Sequence, residues 1–142
     1  MTTTRSTLLA LALAVLSLGL AGSALAQEDG SAYDVRFESV TDNCSGKGYS
    51  LDRARLVIAT DGDETVLRTG DKLPDMKLKR RRGGKIKAEA DVNAATGRRR
   101  VKASGRIERG QLELLIIAEI YDAEGAPTCS QSWNVTGTQA KR

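Results

Sequence analysis

The chain has 142 residues, 28% of them charged and none of them histidine, with a formal net charge of +4. That charge is far below the density of a dedicated nucleic-acid binder, and no aromatic residue is interleaved with the basic ones to stack on bases, so specific nucleic-acid binding is not expected. Without histidine, and with no Gly-x-Ser-x-Gly, Ser-x-x-Lys or phosphate-loop motif, no catalytic constellation is visible and an enzyme is not expected.

Residues 1–26 read as a cleavable export signal. A start with one positive charge at Arg5 is followed by an uncharged apolar run from Leu8 to Leu20, then Gly22-Ser-Ala-Leu-Ala26 and the polar Gln27-Glu-Asp29. The apolar run is too short for a comfortable membrane span, and the mature chain is expected to carry no transmembrane segment. The first cysteine, Cys44, lies well inside the domain, which leaves no lipid-attachment site behind the signal. The remainder, 27–142, is expected to form one domain, with 27–31 a short polar lead and 138–142 a short polar tail. It holds 21 basic and 18 acidic residues, a net charge of +3.

Two cysteines, Cys44 and Cys129, lie near opposite ends of this domain. In an exported protein an even count predicts a disulfide, here closing most of the mature chain into one loop. Two distant cysteines and no histidine make a poor zinc site, and no metal or cofactor is expected.

Turn residues at regular intervals separate short alternating runs, the signature of an all-β barrel or sandwich. In chain order the expected strands are 32–40, 49–60, 64–70, 74–81, 85–93, 99–108, 111–122 and 128–137. The acidic Asp61-Gly-Asp-Glu64 lacks the spacing of a calcium loop and reads as a hairpin turn. The clearest strand is Lys85-Ile-Lys-Ala-Glu-Ala-Asp-Val92, in which apolar and charged residues alternate strictly. Val101, Ala103, Gly105 and Ile107 repeat the pattern on the next strand, and Leu112, Leu114, Ile116, Ala118 and Ile120 continue it on the one after.

Keeping the dry faces together sets a register. A three-residue loop, Arg82-Gly-Gly84, places Leu78 beside Ala88 and Met76 beside Ala90, with Gly84 where a positive φ is wanted. Val92 is then expected beside Val101 across Thr96-Gly97, and Ile107 beside Leu112 across Arg109-Gly110. On the wet face this register sets Lys77 against Glu89, Asp91 against Lys102, Arg106 against Glu113 and Arg100 against Glu119. Complementary charges of this kind support a consecutive antiparallel meander. Charged outward positions on the middle strands also argue against an outer-membrane barrel, which turns apolar residues toward lipid.

Three features carry functional expectations. The basic residues left over after pairing, Lys79, Arg81, Arg82, Lys85 and Lys87, gather near one hairpin and are candidates to hold an anionic surface. A charged sheet edge guarded against aggregation is the plainer account of them. Leu115 and Ile117 lie on the outer side of strand 111–122, opposite Ser104 and Lys102, and are candidates for a partner contact. Small inward residues, Ala88, Ala90, Ala103, Gly105 and Ala118, either leave a ligand cavity or admit the large residues Tyr33, Phe37, Leu56, Ile58 and Trp133. Arg80, in phase with Leu78, sits at the barrel mouth or turns out to solvent.

The layout of signal, eight strands and an early-to-late bridge resembles small exported bacterial barrels and sandwiches, lipocalin-like binders and periplasmic inhibitors among them. The resemblance is one of fold and names no function. The expectation is an exported, periplasmic or secreted, non-catalytic binding domain. Its partner would be an anionic envelope component, a small apolar ligand or a protein. The alternative is a secreted inhibitor or interaction module acting through its loops or strand 111–122.

Overall fold

A computed structural model describes residues 30–141 of the protein. The export signal and residues 27–29 of the polar lead lie outside the described residues. Alternation of inward apolar and outward polar side chains builds eight strands: β1 (Gly30–Asp42), β2 (Arg53–Asp61), β3 (Glu64–Arg68), β4 (Met76–Arg80), β5 (Lys85–Ala94), β6 (Gly97–Glu108), β7 (Gln111–Tyr121) and β8 (Pro127–Gln139). Each pairs antiparallel with the next, and β8 pairs with β1, so the meander closes into a barrel rather than a sandwich. The first and last strands are longer than their polar composition suggests. β1 begins at Gly30, which pairs with Ala59 of β2, and β8 runs to Gln139, which pairs with Tyr33 of β1 along the closing seam.

The hairpins explain where sequence-level register succeeds and where it slips. Leu78 faces Ala88, and Arg82–Gly84 forms a single 3-10 turn with Gly84 at φ 72°. The Arg81 amide donates to the Lys85 carbonyl at 2.8 Å and closes that hairpin. Met76 lies one step beyond the end of the ladder, which begins at Lys77 and Glu89. Ile107 faces Leu112 across Arg109-Gly110, both at positive φ. Asp61 and Glu64 face each other across Gly62-Asp63, a plain hairpin turn.

The β5–β6 hairpin departs from expectation by two residues. Val101 faces Ala90, and Val92 faces Arg99. The turn is Ala95-Thr96, and Gly97 belongs to β6, opposite Ala94. Glycine is needed there on two counts: its φ is 138°, and a Cβ would sit 2.1 Å from the Tyr121 carbonyl oxygen where β6 approaches the end of β7. Asp91 therefore faces Arg100, and Lys102 faces Glu89, not Asp91. Lys77–Glu89, Arg106–Glu113 and Arg100–Glu119 are cross-strand neighbours as expected.

Side chains from all eight strands meet in one core cluster inside the barrel. Tyr33, Phe37, Leu56, Ile58 and Trp133 are buried there with Ala88, Ala90, Ala103 and Ala118. The small residues thus accommodate large neighbours, which a small barrel needs if side chains are to fill it. Arg80 is exposed.

One end of the barrel is covered by the 43–52 loop. Cys44 and Cys129 form a disulfide spanning 85 residues, tying that loop to β8. Gln131, only 2% exposed, accepts from the Tyr49 amide at 2.7 Å through Oε1 and donates through Nε2 to Asp42 and the Tyr49 carbonyl, both at 3.0 Å. Tyr49 and Leu51 pack against the core, and the Arg99 guanidinium lies 5.0 Å from the Tyr49 ring centroid.

Candidate functional site

Period 2 directs every second side chain of β4 to β7 outward, and the register sets those side chains in rows across the strands. One row runs Lys79, Lys87, Ser104, Leu115. The next runs Lys77, Glu89, Lys102, Ile117. Together they line an open groove of about 890 Å³ on the outer wall of the barrel, which Arg81 also borders.

The groove joins the two groups of candidates that are separate in the sequence. Lys79, Arg81 and Lys87 share it with Leu115 and Ile117. Leu115 is 38% exposed, and Ile117 is half-buried. Arg82 and Lys85 stand outside its lining: Arg82 lies in the 3-10 turn, and Lys85 faces Arg106 at the hairpin end of the same wall.

Three acids also line the groove, Asp75, Glu89 and Asp91, and each is held by an arginine, Asp75 by Arg68 at 3.1 Å. Glu89 Oε1 accepts from Arg100 at 2.7 and 2.9 Å, and Asp91 forms an ion pair with Arg98. These guanidinium hydrogen bonds hold both carboxyls below their ordinary pKa values and raise those of the two arginines. Lys77 reaches across to Glu64 at 3.0 Å. Glu119 accepts from the Tyr121 hydroxyl at 2.6 Å, which raises the tyrosine pKa.

Among the described residues, Lys79, Arg81, Lys87 and Lys102 form no ion pair, and all are exposed. Lys79 and Lys87 are direct cross-strand partners, as are Lys85 and Arg106. Like charges in that position destabilise a sheet. Two smaller grooves are balanced in charge: one of about 440 Å³ sets Arg36 and Arg53 against Asp34 and Glu113, and one of about 430 Å³ sets Arg106 and Arg109 against Glu108 and Glu113. The β4–β7 wall is thus a surface that concentrates positive charge at a cost to the fold.

Lys102 and Ser104 escape sequence reasoning as site residues. The slipped register assigns Lys102 to Asp91 and so counts it as neutralised. Its facing acid is Glu89, whose carboxylate is held by Arg100. Only the correct β5–β6 register leaves Lys102 to the groove. The groove assembles five cations, of which Lys77 is paired to Glu64, three carboxylates held by arginines, one hydroxyl and two aliphatic side chains, and the four cations without an ion pair suit holding an anion. No group of three or more metal-ligating side chains occurs among the described residues. No family model, curated protein or solved structure matches the chain.

Proposed function

We propose that the protein is an exported, non-catalytic binding domain that holds an anionic partner on the outer wall formed by β4 to β7. The observation that carries this reading is the facing pair Lys79 and Lys87, flanked in one groove by Arg81 and Lys102, while the acids of the groove, Asp75, Glu89 and Asp91, are ion-paired to Arg68, Arg100 and Arg98. A fold that keeps like charges opposed sacrifices stability, and an anionic ligand would relieve the repulsion on binding. The basic, apolar and Ala-x-Ala pattern of residues 1–26 supports export, and the Cys44–Cys129 bridge suits an oxidising compartment. The large side chains buried inside the barrel favour the wall over the interior as the place of binding.

Retention on immobilised heparin, used as a polyanion probe, tests the reading. The protein should be retained and elute as salt rises. The double variant Lys79→Glu/Lys87→Glu should elute at distinctly lower salt than the charge-matched Lys47→Glu/Lys72→Glu, which alters exposed lysines that do not line the groove. Equal elution of the two variants would overturn it. Weakened capture of a partner protein by Leu115→Lys, with no effect of the lysine reversals, would instead favour an interaction module acting through β7.

A further inference from the structure

The groove is polar at one border and apolar at the other. Lys79 and Lys87 face each other at the β4–β5 border, Glu89 and Asp91 of β5 are held by Arg100 and Arg98, Ser104 and Lys102 stand on β6, and Leu115 and Ile117 form the β7 border. From β5 to β7 is two strand spacings, about 10 Å. The gradient from charged to apolar therefore runs across the strands.

An extended peptide alternates its side chains along its own length and would present acids and apolar residues in series. A ligand that changes from charged to apolar along one short axis fits the gradient better. Two ammonium groups from facing strands also suit a compact anion that can accept from both, as a phosphate does. The exposed Leu115 and half-buried Ile117 then receive hydrocarbon, with the aliphatic stem of Lys102 beside Ile117.

We infer that the wall binds a single anionic phospholipid, and this rests on the anionic-partner reading above. Its phosphate lies between Lys79 and Lys87, its glycerol over Ser104 and the upper part of an acyl chain against Leu115 and Ile117. Arg81 and Lys102 flank the headgroup and strengthen its hold as further charges. The bound lipid is one molecule in a groove, not a bilayer into which the barrel inserts. The charged outward positions of β4, β5 and β6 oppose insertion.

Calorimetry or NMR titration of the folded domain tests this with three probes: inorganic phosphate, glycerol phosphate and dihexanoyl phosphatidylglycerol below its micellar concentration. The lipid should bind at least about tenfold tighter than glycerol phosphate, since burying even two methylenes contributes more than that factor. Leu115→Ser/Ile117→Ser should erase the difference and leave heparin retention intact. Lys79→Glu/Lys87→Glu should abolish lipid binding with an unchanged circular dichroism spectrum. Equal affinity for lipid and glycerol phosphate, with heparin retention preserved, would overturn the lipid assignment and leave the anionic-partner reading standing. Tighter binding of an alternating Glu-Leu peptide than of the lipid would overturn it in favour of a protein ligand. Loss of heparin retention specificity together with no lipid binding would remove both.

Discussion

Arg98 and Arg100 stand two residues apart on the outer side of β6 and hold Asp91 and Glu89 of β5. Each guanidinium stabilises the ionised carboxylate, so the two acids have folded-state pKa values below their ordinary 3.8 and 4.5. Asp42, lowered mainly by the Cys44 amide and then by Gln131, adds to the effect at the covered end of the barrel. Because the unfolded chain takes up these protons first, the stabilisation is complete above about pH 5 and is lost as pH falls through the ordinary carboxylate range and below it. The thermal midpoint should drop on acidification from neutral pH toward pH 3. The drop should be smaller in Arg98→Gln/Arg100→Gln and smaller at high salt, because these pairs are exposed and screened. An identical acid limb in that variant would show that other carboxylates govern it.

At the scale of the strand, the β4–β5 hairpin sets stability against binding. Lys87→Glu turns the like-charge pair with Lys79 into a complementary one. The substitution should stabilise the domain by about 0.2–1 kcal/mol, read from denaturant unfolding, while weakening heparin retention. Stabilisation with undiminished retention would detach the hairpin from function. The same hairpin ends where β5 continues past β4: the ladder stops at Glu89, and Val92, 41% exposed, stands beyond it although it is in phase with the buried Ala90. Alternation marks Val92 as inward, but it has a paired strand on one side only, Arg99 of β6, and β4 is too short to flank it on the other. Gly84 and Gly97 read as turn residues by type and both have positive φ, but each also admits a carbonyl from another strand, Ile107 at 2.2 Å and Tyr121 at 2.1 Å from where a Cβ would be, which no local pattern reveals.

For the molecule as a whole, the Cys44–Cys129 bridge and the β1–β8 seam join the early and late parts of the chain. In the chain-entropy account, a bridge across so long a loop contributes about 4–5 kcal/mol by restricting the unfolded state. Cys44→Ser/Cys129→Ser should lose stability of that order in equilibrium unfolding, and reductant should lower the midpoint of the parent but not of the variant. A parent insensitive to reductant under denaturing conditions would count against the bridge. The sequence by itself determined the strands, most hairpin turns, the inward and outward faces and the two cysteines' pairing, because alternation and turn chemistry are local properties with a period of two residues. Closure into a barrel, the β5–β6 register and the groove were decided only by the tertiary structure. Closure depends on pairing between strands at opposite ends of the chain, and register depends on backbones approaching across strands. Whether a surface lysine is neutralised depends on which acid faces it and what that acid already holds.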